Sequence, residues 1–195
     1  MGVPKAWLDF GGETLLARTV RTVATVASPV VVVAAAGQDT PPLPPGVLIV
    51  RDARSDRGPL EGLAAGLDAI APYASLAFVS SVDAPFLHPA LIRRLVDLRG
   101  SDHAIAAPRT AGHVHPLGAV YSVSVRAEIA AMLAEGTLRL SALLWRVPTL
   151  FADEALLLAG AELAAADPEL RSLANVNTPE EYAAAQRALI YHRPP

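Results

Sequence analysis

The first half of the chain alternates short apolar runs with amphipathic stretches. Three runs rich in valine, leucine and alanine have the length and composition of strands buried on both faces, at residues 30–35, 47–50 and 76–80. Helical spacing of apolar side chains, or proline at the first helical position, predicts helices at residues 14–26, 58–70 and 89–98. Strands joined by crossover helices are typical of a parallel sheet covered by helices. We therefore predict an α/β fold with a Rossmann-like, doubly wound, mostly parallel sheet.

The second half of the chain is less regular. Two further strands are predicted at residues 104–107 and 117–121, on either side of a turn at residues 110–112. Helices are predicted at residues 124–134, 140–146, 154–166 and 179–189. The Ala/Leu-rich stretch 155–166 has no functional interpretation. Because no repeat or flexible linker interrupts the sequence, we expect a single domain over residues 1–190 and a frayed tail at residues 191–195.

Composition narrows the class of protein. The 195 residues carry a net charge of -3 without a basic run, which argues against a nucleic-acid surface. The sequence contains no cysteine, so disulfides and thiolate metal sites are excluded. No apolar run approaches the roughly 18 residues that a membrane span needs, and the amino terminus shows no hydrophobic export segment. We expect a cytoplasmic protein without a nucleic-acid or membrane partner.

Polar residues follow two of the predicted strands and precede the last helix. Arg51-Asp52 comes directly after the 47–50 run, and the segment 81–85, which contains Asp83, comes directly after the 76–80 run. Asn175 and Asn177 lead into the helix at residue 179. In open α/β sheets, ligands bind at the carboxyl ends of the strands. A carboxylate in that position can hold Mg²⁺, which prefers one or two carboxylates together with water and phosphate oxygens. These residues are therefore the candidates for a ligand site.

Each acidic candidate also has a purely structural interpretation. Asp83 could be a turn aspartate that hydrogen-bonds its own backbone. Asp52 could be a loop residue or the ion-pair partner of Arg51 or Arg54. The stretch that begins at Thr178 is a capping box with proline at the first helical position, which needs no further function.

The remaining candidates have the same two interpretations. Gly58 and Pro59 begin a helix whose free N–H groups would attract an anion, yet they could simply permit tight packing. Lys5 taken alone is a surface lysine. His113 and His115 would share one face of an extended segment and could bind a metal, or they could belong to an ordinary turn. The order and spacing of the whole set, rather than any single residue, decide between these interpretations.

Five segments of the chain, in this order, resemble the molybdenum cofactor guanylyltransferase family, and the match extends over nearly the whole chain. They are Met1-Gly2-Val3-Pro4-Lys5-Ala6, Gly58-Pro59-Leu60-Glu61-Gly62-Leu63, Val82-Asp83-Ala84-Pro85-Phe86-Leu87, His115-Pro116-Leu117-Gly118-Ala119-Val120-Tyr121 and Asn175-Val176-Asn177-Thr178-Pro179-Glu180-Glu181. The segments around Asp83 and Asn177 are the most specific of the five.

The resemblance implies a Rossmann-like nucleotidyltransferase that transfers GMP from GTP to the phosphate of molybdopterin and releases pyrophosphate. It implies that Asp83 ligates Mg²⁺, that Lys5 contacts the nucleotide phosphates, and that Asn177 lies near the metal and the reacting phosphate. Such chemistry needs positioning and charge neutralisation rather than a covalent intermediate. The implied partners are GTP and molybdopterin, together with molybdoenzymes or other cofactor-biosynthesis proteins.

The resemblance assigns further residues to the two substrates. Asp52, Gly58 and Pro59 would border the bound nucleotide, and His115 and Pro116 would belong to the acceptor side. Three alternatives stay open beside this interpretation. They are a transferase that uses CTP or another phosphorylated acceptor, a sugar-phosphate nucleotidyltransferase, and a module that binds molybdopterin or a partner without catalysis.

One feature of the family is missing from this sequence. Members of the family begin with a central strand and a glycine-rich loop, directly before the Met-Gly with which this sequence starts. Without that strand, we expect a slot between neighbouring strands with unpaired backbone groups and exposed apolar faces. Our hypothesis is that the start has been assigned at an internal methionine, the alternative being a truncated protein that binds GTP feebly.

Overall fold

The computed structural model describes residues 3–52 and 58–191, so Met1, Gly2, Arg54 and the tail 192–195 lie outside the described residues. The helices are α1 Leu15–Ala24, α2 Pro59–Ile70, α3 Pro89–Arg99, α4 Arg126–Ala134, α5 Leu140–Leu143, α6 Glu154–Leu158, α7 Ala161–Ala166 and α8 Pro179–Tyr191. The strands are β1 Val31–Ala34, β2 Leu48–Arg51, β3 Leu76–Ser80, β4 Ile105–Thr110, β5 His113–Val114, β6 Gly118–Ser122 and β7 Thr149–Asp153. Within this part of the chain, no helix combines the length and the apolar character that crossing a membrane requires.

The strands form two separate sheets. Strands β1 and β2 pair in parallel, with Val31 opposite Leu48. The larger sheet has the order β3-β6-β4, and both β5 and β7 pair with β4. The β4–β7 pairing is parallel, whereas β3–β6, β4–β6 and β4–β5 are antiparallel. The α/β class predicted from the sequence is confirmed, and its pairings are mixed because the chain reverses direction between β4, β5 and β6.

A groove of about 520 Å³ lies between the two sheets. Residues of β1 line one side of the groove and residues of β3 the other, while helices α1 and α2 contribute its remaining walls. Among the described strands, β1 pairs only with β2, and β3 pairs only with β6. One edge of each strand therefore borders the groove without a strand partner. Since a two-stranded sheet by itself is only marginally stable, the smaller sheet depends on its packing against α2. This is the kind of slot that the sequence analysis expected.

Small residues allow α2 to lie close to β1. A Cβ atom placed on Gly66 would lie 3.2 Å from Cγ2 of Val33, and one on Gly62 would lie 3.8 Å from Cγ1 of the same residue. The glycines in this segment therefore permit close packing of helix on strand, as one of the two sequence interpretations proposed.

The continuous helix predicted at residues 154–166 is wrong, because Gly160 separates α6 from α7. Arg94 of α3 explains the interruption: its Nε donates to the carbonyl of Leu157 and its Nη2 to that of Leu156. These two carbonyls at the end of α6 thus accept hydrogen bonds from a side chain of another helix. A Cβ atom on residue 160 would lie 2.8 Å from Cδ of Arg94, so this arginine also leaves no room for a side chain.

Two strands were absent from the sequence prediction. The two-residue strand β5 pairs with the end of β4, where the sequence predicted a turn between two strands. Strand β7 pairs in parallel with β4 over five positions, from Ile105 opposite Thr149 to Arg109 opposite Asp153. Both strands are defined by their pairing with β4. The local sequence of a short segment does not reveal such pairing, so these strands were not predicted.

Three groups of buried side chains make up the core. One group packs α2, α4 and α5 against the larger sheet, and a second packs α3, α6 and α7 against the opposite face. The third and smallest group consists of Phe10, Leu15, Val176 and Ala185, with Phe86 and Tyr182 among the side chains packed around it. This third group, which we call the Phe10 cluster, joins the beginning of the chain to its last helix.

We predict that Phe10→Ala lowers the free energy of unfolding by about 3–5 kcal/mol, the usual cost of emptying a buried aromatic site, because Phe10 is completely buried. Tyr73→Ala is the matched control, since Tyr73 is 64% exposed and a surface change of this kind costs about 0.5 kcal/mol or less. Urea denaturation of both variants measures the difference. Equal losses in the two variants would contradict a structural role for the Phe10 cluster.

Candidate active site

Lys5, Asp83 and Asn177 meet at the carboxyl end of β3. The ammonium group of Lys5 donates to Oδ2 of Asp83 at 2.8 Å and to Oδ1 of Asn177 at 2.8 Å. Lys5 belongs to a 3₁₀ turn at Lys5–Trp7, Asp83 to the loop between β3 and α3, and Asn177 to the loop before α8. The backbone N–H of Val176 donates to the carbonyl of Asp83 at 2.8 Å, which joins two of these segments directly.

One oxygen of the Asp83 carboxylate has no donor. The Asp83 side chain is 15% exposed, and its Oδ1 is buried without a hydrogen-bond partner among the described residues. The hydroxyl of Ser81, two residues earlier, is also buried without a hydrogen-bond partner among the described residues. A buried carboxylate oxygen without a donor is costly unless a cation or a hydrogen bond compensates its charge.

This arrangement fits a magnesium ion. Mg²⁺ takes one or two carboxylates from a protein and completes its octahedron with water and phosphate oxygens. Asp83 supplies one such carboxylate, with one oxygen in contact with Lys5 and the other without a donor. The described residues contain no group of three or more His, Cys, Asp or Glu side chains that could hold a metal by themselves. Substrate phosphates would therefore have to supply further ligands.

The loop that carries Asn177 is held by the first turn of α8. One carboxylate oxygen of Glu181, Oε2, accepts from the backbone N–H of Asn177 at 2.7 Å and from that of Thr178 at 3.0 Å. In return, the hydroxyl of Thr178 accepts from the backbone N–H of Glu181 at 3.1 Å. The capping box predicted from the sequence is confirmed, and it also fixes the backbone of a candidate site residue. These two N–H donors, and the charge of Lys5, lower the pKa of Glu181 below its ordinary value of 4.5.

Three contacts near the site had no sequence signal. The hydroxyl of Tyr182 and the side-chain amide of Gln186 both donate to the carbonyl of Asp9, which ties α8 to the first segment of the chain. Arg18 of α1 donates from Nε to the carbonyl of Pro85 at 2.7 Å, two residues after Asp83. A polar side chain on a helix is usually interpreted as a solvated surface residue, and only the tertiary packing distinguishes these from the rest.

Three of the five predicted nucleotide-binding residues line the groove, whereas Lys5 and Asp83 are not among its lining residues. Asp52, Gly58 and Pro59 are among the residues that line it, as are Ser81 and Val82 of the loop before Asp83. Gly58 adopts a positive φ of 76° at the N-cap of α2, which favours glycine, and as a glycine it offers no side chain to cap the first N–H groups of this helix. The structure thus brings these three residues to one groove beside the Asp83 loop.

The predicted acceptor-side residues have partners of their own. Nε2 of His115 lies 2.7 Å from the hydroxyl oxygen of Thr110, and the carbonyl of Pro116 accepts from the hydroxyl of Tyr121 at 2.8 Å. Burial lowers the pKa of His115 below its ordinary 6.5, and the neighbouring His113 lowers it further. These contacts hold the turn between β5 and β6, so the role of His115 and Pro116 toward an acceptor stays a prediction.

Solved structures of other proteins share the fold of this chain. Molybdopterin-guanine dinucleotide biosynthesis protein A from Archaeoglobus fulgidus superposes with a TM-score of 0.74 at 18% identity, covering 97% of this chain and 92% of that protein. The 2-C-methyl-D-erythritol 4-phosphate cytidylyltransferase from Thermus thermophilus superposes with a TM-score of 0.69 at 19% identity, covering 95% and 93%. The fold is that of the nucleotidyltransferases.

Sequence comparison narrows the class to a family. The family model of the MobA-like NTP transferase domain matches residues 1–147, and the chain belongs to this family. A probable molybdenum cofactor guanylyltransferase from Mycobacterium avium (strain 104) is 34% identical over 191 residues, which cover 96% of this chain and 89% of the relative. Another from Methanosarcina mazei is 29% identical over 188 residues, covering 92% and 80%. The nucleotidyltransferase prediction is thereby confirmed.

We predict that Glu181→Gln lowers the melting temperature at neutral pH, because the amide replaces a charged acceptor of two N–H groups. The native pKa of Glu181 is lowered, so its stabilisation is present above the unfolded value of 4.5 and is lost as the pH falls through the native value. The difference in melting temperature between wild type and variant should therefore shrink in acid, as thermal unfolding across a pH series would measure.

Glu180→Gln is the control for this prediction. Glu180 also lies in the first turn of α8 and has the same effect on the net charge, but the two N–H groups of the cap donate to Glu181. A melting temperature that falls equally in both variants, or a difference that persists unchanged in acid, would show that the cap contributes no more than general charge.

Proposed function

We propose that this protein transfers GMP from GTP to molybdopterin. In this reaction a phosphate oxygen of molybdopterin attacks the α-phosphorus of GTP. A bond from that phosphorus to the new oxygen forms, the bond to the bridging oxygen of the β-phosphate breaks, and pyrophosphate leaves with the bonding electrons. The observation that carries the proposal is the contact of Lys5 with both Asp83 and Asn177 at the carboxyl end of β3.

Lys5 and Asn177 have complementary roles in this proposal. The side chain of Lys5 is 30% exposed, so its ammonium group can move partly away from its partners and neutralise charge on the triphosphate. The backbone N–H of Asn177 donates to Glu181, which fixes the backbone of this residue. Its side-chain amide can therefore orient a phosphate oxygen. Proteins accelerate phosphoryl-type transfer mainly by positioning and charge neutralisation of this kind.

Asp83 is the residue that would hold Mg²⁺. Its oxygen without a donor supports this assignment, as does the preference of Mg²⁺ for a single protein carboxylate beside phosphate oxygens. When bound, the metal would withdraw charge from the phosphates. Asp83 itself would fix the position of the metal relative to Lys5.

The other predicted residues divide between the two substrates. Asp52, Gly58 and Pro59 at the groove are proposed to border the nucleotide, where the N–H groups at the start of α2 favour an anion. His115 and Pro116 are proposed for the acceptor side. Both substrates are small molecules, and we place the reaction in the cytoplasm, with molybdoenzymes or other cofactor-biosynthesis proteins receiving the product.

We also propose that the nucleotide site is complete only when one more strand fills the groove. The 3₁₀ turn at Lys5–Trp7 crosses the carboxyl ends of both bordering strands, since Lys5 contacts Asp83 after β3 and Nε1 of Trp7 donates to the carbonyl of Asp39 after β1 at 3.3 Å. A strand that entered the groove parallel to β1 and β3 would leave it beside the first described residues. Its backbone would pair with both strand edges.

Calorimetric titration with GTP and Mg²⁺ tests both proposals on two proteins, this chain and a form extended upstream in the reading frame. Binding by the extended form with little or none by the shorter chain is the expected result. Equal binding by both would remove the need for a further strand. If both fold and neither binds GTP, the guanylyltransferase proposal fails, and a binding module or a CTP-dependent enzyme takes its place.

We predict that Asp83→Asn lowers the rate of Mg²⁺-dependent transfer at least about a hundredfold, as is usual when a group that acts on developing charge is removed, while the fold is kept. The measurement is pyrophosphate release by the extended form of the protein at saturating GTP and molybdopterin. Asp97→Asn, on the exposed face of α3, removes the same charge away from the site and should leave the rate unchanged. Undiminished turnover in the Asp83 variant would contradict the assignment of Asp83 as the residue that holds Mg²⁺.

A further inference from the structure

Arg18 connects the two segments that carry Lys5 and Asp83. Its Nε donates to the carbonyl of Pro85 at 2.7 Å. On the other side, its Nη1 pairs with Oε1 of Glu13 at 3.2 Å, and the guanidinium lies 5.2 Å from the centre of the Phe10 ring. Phe10 and Glu13 belong to the segment between Lys5 and α1, so this single side chain links that segment to the loop after β3.

The loop after β3 is held at three successive carbonyl groups. The carbonyl of Asp83 accepts from the N–H of Val176, and that of Ala84 accepts from the N–H of Leu87 at 3.2 Å. The third carbonyl, of Pro85, accepts from Arg18. Of these three hydrogen bonds, the last is the one made by a side chain, so substitution can remove it without changing the backbone.

We propose that Arg18 is a positioning residue for the Asp83 carboxylate. Arg18 holds the Pro85 carbonyl beside the segment that contains Phe10 and Glu13. The loop thereby keeps the conformation in which Oδ2 of Asp83 contacts Lys5 and Oδ1 has no donor among the described residues. Arg18 itself touches none of the three site residues and acts through the backbone of the loop. The catalytic part of this inference rests on the proposed function, because it takes Asp83 as the residue that holds Mg²⁺.

Arg21 provides a matched control within the same helix. Both arginines pair with Glu13, Arg21 at 2.6 Å from Nη2 to Oε1. The Arg21 side chain is 57% exposed, against 24% for Arg18, and its described hydrogen bonds go to Glu13 alone. Replacing either arginine by alanine therefore removes one positive charge and one partner of Glu13, whereas only Arg18→Ala removes the contact with Pro85.

Amide hydrogen exchange tests the clamp without any ligand. Arg18→Ala should speed exchange at the N–H groups of Val176 and Leu87 by about tenfold relative to wild type, the scale expected for a lost charged hydrogen bond. Exchange at Val120 in the interior of the larger sheet should change far less, which separates a local effect from general destabilisation. Arg21→Ala should leave all three positions near their wild-type rates.

The inference is overturned if Arg18→Ala and Arg21→Ala exchange alike at Val176 and Leu87, or if all amides accelerate together. Should Arg18→Ala fail to fold, Arg18→Lys takes its place. Lysine keeps the charge near Glu13 but lacks the fork of donors that reaches a carbonyl and a carboxylate together. Exchange at the two loop amides should then rise by about threefold, and a wild-type rate would again overturn the inference.

The link to the cation is tested in the form of the protein that binds GTP. Arg18→Ala should raise the Mg²⁺ concentration at half-maximal GTP binding by about tenfold, and Arg21→Ala should leave it unchanged. Faster loop exchange with an unchanged requirement for Mg²⁺ would overturn the positioning role. Absence of GTP binding in every form would reject the proposed function, while the exchange measurement would still decide whether Arg18 holds the loop.

Discussion

The burial of Phe10 is the constraint on which the candidate site depends. Its ring is completely buried and lies 5.7 Å, edge to face, from the ring of Phe86 and 6.4 Å from that of Tyr182. Each of these three rings belongs to a segment that carries one of the three contacting polar residues. Apolar packing is nondirectional, but rings of this size fit together in few ways. The Phe10 cluster therefore sets the positions from which the polar side chains reach one another.

The local pattern of the sequence predicted much of the fold. Apolar runs and helix-start signals identified β1, β2, β3 and the three helices around them, because such features act over a few residues. The prediction failed at two elements of the second half. In the Ala/Leu stretch 154–166, Gly160 is a local helix-breaking signal that the prediction passed over, and the contacts that end α6 come from the distant Arg94. Strand β7 exists because β4 offers it an edge. Neither Arg94 nor β4 lies within the window of residues that a pattern covers.

The candidate site was predictable in a different way. Spacing alone could not bring Lys5 to Asp83, 78 residues away, or to Asn177, 172 residues away. The resemblance to a family selected these residues, and the structure places them in contact. Arg18 carried no such signal, because on the sequence it is one more polar residue on an amphipathic helix. Its importance depends on which backbone carbonyl lies beside it, and that is a property of the fold alone.

The capped loop before α8 has a consequence for the order in which the molecule matures. Asn177 is synthesised 172 residues after Lys5. Contacts of such long separation form late, since the entropy of closing the intervening chain must be overcome first. Both sheets can assemble while synthesis continues, but the polar constellation waits for the final helix. The contact between Lys5 and Asn177 is therefore among the last parts of the described structure to form, after both sheets have assembled.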